Sequence, residues 1–211
     1  MYPFLITTIL LFLILYLFIN VPICWESKGP RYKIYNYLKN QVVKKLHKLG
    51  WVKFNKRKGY EMLAIIHDVC EGAGIGFWLS EGTALGFIRD GDFIDWDDDL
   101  DIGIRAEDKN LFLNLLPAKG FVLCEVSLNN SFYSYLYKNE KLDVDVTGRN
   151  IQCRANSNKH HGSPCEELLP HLQSFDKLEI MGKVYNLPRT SYLELLYGKQ
   201  WQTPVKGFKP K

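Results

Sequence analysis

The chain opens with an apolar block and then changes character. No charged side chain occurs from Met1 to Trp25, and "FLITTILLFLILYLFIN" is apolar on nearly every side. About 20 such residues cross a bilayer, so residues 1–25 are expected to form a single-pass transmembrane helix. A cleavable signal peptide would have a basic start and a small-residue cleavage site, and both are missing. A buried core helix is seldom apolar all round for this length. In the next segment Tyr37, Leu38, Val42, Leu46 and Leu49 recur at helical spacing, which predicts an amphipathic helix beside the membrane.

The globular pattern begins near Gly59. "YEMLAIIHDVCEGAG" carries Leu63, Ile66 and Cys70 on one stripe and ends in glycines, so a helix is predicted there. "IGFWLS" reads as a short buried strand, and "EGTALGF" as a turn leading into a brief helix. "AEDKNLFLNLLPAKG" predicts a helix with Leu111 and Leu115 inward, closed by Pro117 and Gly120. "FVLCEV", "FYSYLYK" and "KLDVDV" predict three further strands, antiparallel neighbours because their links are short. "RTSYLELLYG" predicts a late helix with a capping box, Thr190 or Ser191 leading Glu194, and a stop at Gly198. The mixture is α+β, with a small mixed sheet and helices packed against it. The expected domains are the anchor 1–25, a basic juxtamembrane linker 26–58, and a catalytic domain 59–211.

One segment defies the usual rule for like charges. "GFIRDGDFIDWDDDLDIGI" holds seven aspartates between Asp90 and Asp101, interleaved with Phe93, Ile94, Trp96, Leu100 and Ile102. A solvated acidic run would not carry apolar residues in alternation. As a strand from Trp96 to Ile104, it places Asp97, Asp99 and Asp101 on one face, with Leu100 and Ile102 on the other. Carboxylates two positions apart are about 6.6 Å apart at their bases and repel by roughly 2–3 kcal/mol at an effective dielectric near 20. A divalent cation removes that cost by taking their oxygens as ligands. "KLDVDV" repeats the pattern, Asp143 and Asp145 on one face and Leu142, Val144 and Val146 on the other. On a neighbouring strand, it supplies the third carboxylate of a Mg²⁺ or Mn²⁺ site. An EF-hand loop starting at Asp97 is excluded because Ile102 stands where glycine is needed. Upstream, the break at Glu81-Gly82-Thr83 turns backbone N–H groups and a hydroxyl toward the start of a helix, a place suited to phosphate.

Charge and cysteine content refine this picture. The net charge is +4. Eleven Lys and Arg and no acid lie between Lys28 and Lys58, which suits anionic lipid head groups. The positive-inside rule would keep this flank cytoplasmic, and membrane orientation stays open. No nucleic-acid motif accompanies the basic run. The five cysteines form no CxxC pair. Cys70 and Cys124 fall in helical and strand-like patterns, where a free cysteine acts as a small hydrophobe. Cys153, His160, His161 and Cys165 leave three readings open: a structural Zn²⁺ site, a disulfide loop, or an insertion without either.

"FWLSEGTALGFIRDGDFIDWDDDLDIGI" resembles the central motif of the LicD/fukutin family of the nucleotidyltransferase superfamily. The likeness rests on the Gly-Thr turn, Arg89 and the strand with Trp96, Asp97, Asp99 and Asp101. "LDVDV" resembles that family's later strand, with Asp145 in the matching place, and "YNLPRTSYLELLYGKQWQTP" resembles its closing pattern. The resemblance implies a nucleotidyltransferase-type mixed sheet and transfer of a phospho-alcohol, such as phosphocholine or ribitol phosphate, from a CDP-activated donor to a glycan hydroxyl. By that reading Asp97, Asp99, Asp101 and Asp145 hold the metal, and Asp145 also takes the acceptor's proton. Gly82, Thr83 and Glu81 contact the donor phosphate. Arg89 neutralises the leaving nucleotide, or else pairs with Asp90 or Asp92. Two other readings are weighed against it: a nucleotide-sugar glycosyltransferase using Asp-x-Asp, and an inactive relative that binds a glycan or a partner protein.

Overall fold

The computed structural model describes residues 54–126, 132–138, 140–147 and 168–205. All of them belong to the compact unit Lys53–Lys211. The expected anchor, the juxtamembrane helix, and Cys153, His160, His161 and Cys165 lie outside the described residues. Among the described residues, no helix is long and apolar enough to cross a membrane.

The first helix, α1 (Lys56–Ala73), starts three residues before the expected boundary. The Asn55 side chain caps it by accepting the Lys58 N–H at 3.2 Å. At its end Gly74, with φ 68, turns its N–H back to the carbonyls of Cys70 and Glu71; that left-handed conformation favours glycine. Met62, Leu63, Ile66, Val69 and Cys70 form its buried stripe, each worth about 1.5–3 kcal/mol for a large side chain. Cys70 is free and buried, and burial pushes its thiol up to about 12.

Strand β1 (Phe77–Leu79) follows, then α2 (Glu81–Arg89), β2 (Asp99–Arg105) and α3 (Lys109–Leu115). A single 3-10 turn, Pro117–Lys119, leads through Gly120 to β3 (Val122–Val126). Strands β4 (Phe132–Tyr137) and β5 (Glu140–Thr147) complete a five-stranded sheet in the order β1-β2-β5-β4-β3. The pairs β3–β4 and β4–β5 are antiparallel, as their short links predict. The pair β2–β5 is parallel, bridged by the intervening α3, β3 and β4. The sheet is therefore mixed, and its parallel pair lies at the centre.

One face of that central pair is core. Leu100, Ile102, Ile104, Leu142 and Val144 are fully buried there. The opposite face carries Asp99, Asp101 and Gly103 on β2, beside Lys141, Asp143 and Asp145 on β5. This is the alternation expected from the two sequences, made into one surface because the strands pair in register.

Four local expectations are corrected. The strand begins at Asp99, not Trp96. Asp97 reaches the carboxylate face from the turn before it, whose backbone bond runs from the Asp97 N–H to the Ile94 carbonyl. In α3 it is Phe112 that is buried, with Leu116 just beyond, while Leu111 is 48% exposed. Phe112 and Leu116, four positions apart, make the inward stripe. The late helix α4 (Thr190–Tyr197) is N-capped by Arg189 with no side-chain bond, so the capping box does not form. Cys124 is disulfide-bonded, rather than a free apolar residue.

The sequence reading also passed over a hairpin. Strands β6 (Phe175–Ile180) and β7 (Lys183–Pro188) pair antiparallel around Met181 and Gly182. Both turn residues have positive φ, 51 and 77, which a type I′ hairpin requires. The hairpin braces β1: Asn186 Nδ2 donates to the Phe77 carbonyl at 2.6 Å, and Phe175 stacks on Trp78 with centroids 5.3 Å apart.

Candidate active site

The seven aspartates divide into groups with different work. Asp90 caps the far end of α2 and is gripped by the Arg89 guanidinium, Nε to Oδ1 at 2.8 Å and Nη2 to Oδ2 at 2.6 Å. Asp92 accepts from the Tyr60 hydroxyl at 2.5 Å, from Lys56 Nζ at 3.0 Å and from the Phe93 N–H at 2.7 Å. Lys56 also reaches Asp95 at 2.7 Å. These bonds staple the loop after α2 to the start of α1. Burial works against the Asp92 carboxylate, yet the bonds from Tyr60 and Lys56 hold it below the ordinary range.

Of the remaining four, Asp97, Asp99 and Asp101 form a cluster. One carboxylate oxygen from each lies within 4.8 Å of the others. At that separation each ionised pair repels by about 3 kcal/mol or more at an effective dielectric near 20. Three such pairs would rival the whole stability of a domain, about 5–15 kcal/mol. That repulsion favours the protonated carboxyls. Burial, then the charges of Asp99 and Glu81, push Asp101 well above the usual carboxylate range. Burial, then Asp99 and Asp98, do the same to Asp97. A compact, all-oxygen donor set of this kind suits a hard divalent cation, so the residues present fit the metal that the sequence pattern implied.

The β2–β5 register decides which acid of "LDVDV" adjoins the cluster. Asp101 stands opposite Asp143, and Gly103 opposite Asp145. Asp145 lies one repeat further along β5, about 6.6 Å from Asp143 at the backbone. Asp143 is nearly inaccessible and bonded to Lys141, Nζ to Oδ2 at 2.7 Å. Burial lifts its pKa to about 7, with Lys141 opposing. Lys141 also reaches Asp99 Oδ2 at 2.9 Å. Burial disfavours its ammonium, but Asp99 and Asp143 outweigh this and hold it well above the ordinary lysine value.

Helix α2 locks onto the cluster from the other side. The Gly82 N–H donates to Asp101 Oδ2 at 3.0 Å, and the Asp101 N–H donates to Thr83 Oγ1 at 2.8 Å. A Cβ on Gly82 would run into the Asp97 carboxylate and lie 3.0 Å from Asp101 Oδ2. Gly82 thus holds the Asp101 carboxylate and Thr83 the Asp101 backbone. Glu81, at φ 34, takes a strained position at the helix start. The buried Tyr192 hydroxyl fixes that start: it bonds Ser80 Oγ at 2.8 Å and accepts the Glu81 N–H at 3.4 Å. Burial, then the charges of Glu81 and Asp145, keep Tyr192 protonated far above the ordinary tyrosine range.

Of the residues singled out in the sequence, Asp97, Asp99, Asp101, Gly82 and Thr83 come together. Arg89 does not join them: it ends α2, about 12 Å along the helix from Glu81. Lys141 and Tyr192 were missed. Lys141 was readable by alternation, since it shares a strand face with Asp143 and Asp145; Tyr192 gave no such signal.

A family model described as "LicD/FKTN/FKRP, nucleotidyltransferase domain" matches residues 74–188, more than half of the chain. Among relatives, the ribitol 5-phosphate transferase FKRP of Mus musculus is 38% identical over 95 residues, covering 41% of this chain and 19% of that protein. The ribitol-5-phosphate transferase FKTN of Homo sapiens is 29% identical over 162 residues, covering 72% and 34%. The matches thus span a fifth to a third of these relatives' lengths. Among solved structures, the lincomycin-bound lincosamide antibiotic adenylyltransferase LnuA aligns with a TM-score of 0.46 at 16% identity, covering 67% of this chain and 85% of that one. The matched span holds the whole carboxylate face, from Asp97 to Asp145, and the chain belongs to the LicD/FKTN/FKRP family.

Proposed function

We propose that this domain is a metal-dependent phosphotransferase that moves a phospho-alcohol from a CDP-activated donor to a glycan hydroxyl. The observation that carries the reading is the convergence of Asp97, Asp99 and Asp101 oxygens within 4.8 Å. Relatives named as ribitol 5-phosphate transferases support the chemical class. Asp97, Asp99 and Asp101 would hold Mg²⁺ or Mn²⁺, which when bound supplies charge neutralisation at the donor's diphosphate.

The chain's own residues do the rest. Gly82 and Thr83 orient Asp101, so the carboxylates are aimed before substrate arrives. Asp145 takes the proton of the acceptor hydroxyl as its oxygen bonds to the donor's distal phosphorus, and the bond from that phosphorus to the CMP oxygen breaks. Asp145 suits this better than Asp143: it is half-buried on the same face, whereas Asp143 is more deeply buried and bonded to Lys141. Most of the acceleration would come from positioning and charge neutralisation.

The apolar residues 1–25 support a single-pass membrane location. The disulfide at Cys124 supports an oxidising compartment for the domain.

The test is a thermal-shift panel of CDP-ribitol, CDP-choline, CDP-glycerol and UDP-sugars, each with and without Mn²⁺. Stabilisation by a CDP compound only when Mn²⁺ is present is the expected result. Stabilisation by UDP-sugars, or by CDP compounds equally well in chelator, would refute it.

A further inference from the structure

The carboxylate face carries a cationic side chain of its own. Lys141 Nζ lies 2.9 Å from Asp99 Oδ2 and 2.7 Å from Asp143 Oδ2. The three residues are placed by the sheet: Asp99 and Lys141 are register partners across the parallel pair, and Asp143 follows Lys141 on the same strand face. Asp99 is also one of the three carboxylates that converge on the candidate metal position. The ammonium and a divalent ion would thus draw on the same carboxylate.

We propose that Lys141 is a positioning residue that competes with the divalent cation for Asp99 and thereby sets the metal affinity of the site. The inference rests on the metal-dependent reading above. The ammonium and a divalent ion repel each other, and both are drawn to Asp99. An ion entering the cluster weakens the Lys141–Asp99 contact. Lys141 then stays on Asp143, whose side chain is 4% exposed against 14% for Asp99. The lysine side chain itself is 38% exposed, so its stem has room to shift. Its positive charge also offsets part of the repulsion among Asp99, Asp143 and their neighbours.

The test uses the purified full chain, stripped with chelator and titrated with Mn²⁺ by calorimetry. Lys141→Met should bind Mn²⁺ on the order of tenfold more tightly than wild type. Its metal-free form should melt at a lower temperature, and Mn²⁺ should restore it. Lys141→Arg keeps the charge, so its Mn²⁺ affinity should stay within about threefold of wild type. A merely structural lysine would weaken or leave unchanged the metal binding of both variants. Wild type that binds Mn²⁺ while Lys141→Met binds it no more tightly overturns the competition and leaves the metal reading standing. A wild type that binds no Mn²⁺ overturns both.

Discussion

The backbone N–H of Gly82 donates to Asp101 Oδ2 at 3.0 Å. This bond ties the first turn of α2 to the third residue of β2, nineteen positions later in the chain. It is answered by the Asp101 N–H on Thr83 Oγ1. The positive end of a helix is set against a buried carboxylate, where its dipole favours negative charge. The same contact explains why residue 82 has no side chain: a Cβ would occupy the space of the Asp97 carboxylate.

Replacing Gly82 with Ala should therefore disturb the cluster more than the fold. Overpacking of this kind costs about 1–3 kcal/mol. The expected outcome is a modest drop in the thermal midpoint, with at least a tenfold loss of Mn²⁺ affinity by titration. An unchanged affinity would show that Asp97 is not held where this structure places it.

Removing the Tyr192 hydroxyl tests the other anchor of the same turn. Tyr192→Phe deletes the bond to Ser80, itself 2% exposed, and the contact with the Glu81 N–H. Leaving those groups unsatisfied should cost about 1–3 kcal/mol in urea unfolding. Transfer should slow as well, because α2 aims the carboxylates.

The pH dependence of stability should differ with and without metal. In the metal-free protein Asp97 and Asp101 hold protons well above the ordinary carboxylate range, and Asp143 to about 7. In the unfolded chain these groups lose protons near pH 4, as rough reference. Between about pH 4 and 7 the folded state thus binds more protons, so stability falls as pH rises. Saturating Mn²⁺ prefers the ionised forms, so this fall should vanish between about pH 5 and 7, and stability should drop instead as pH goes below about 4. Thermal midpoints across that range, in chelator and in Mn²⁺, measure both slopes.

Asp145 and Asp143 should separate kinetically. Asp145→Asn should lower the transfer rate by about 10²–10⁴ while leaving Mn²⁺ binding near wild type. Asp143→Asn leaves Lys141 with Asp99 alone, so Mn²⁺ binding should weaken. Rate measurements paired with metal titrations of the two variants distinguish the roles; a reversed pattern would assign the proton to Asp143.

The residues that alternate were readable before any coordinates. Leu100 and Ile102 against Asp99 and Asp101, and Val144 against Asp143 and Asp145, set both faces of the central pair. The strand period fixes the face of each side chain once the strand exists. What the alternation could not supply was register. Nothing in "KLDVDV" says that Asp143, and not Asp145, stands opposite Asp101; that depends on how the two strands meet after a crossover of more than thirty residues. The partner of the Gly82 N–H met the same difficulty. A helix start offers its N–H groups to whatever anion is nearest, and here the nearest is the protein's own Asp101. The capping box at Thr190 was misread for a local reason, since α4 starts at Thr190 itself with Arg189 as its N-cap. The hairpin β6–β7 escaped notice because its outward side chains, Asp176, Lys177, Glu179 and Val184, mix charges with an apolar residue.

The most direct measurement is the Mn²⁺ stoichiometry and affinity of the purified chain beside those of Asp99→Asn and Asp101→Asn. The account predicts saturable binding in wild type, at least a hundredfold weaker binding in each variant, and loss of transfer in parallel, with the folded core intact because Leu100 and Ile102 are untouched. Equal Mn²⁺ affinity in all three proteins, or transfer that persists in excess chelator, would contradict it.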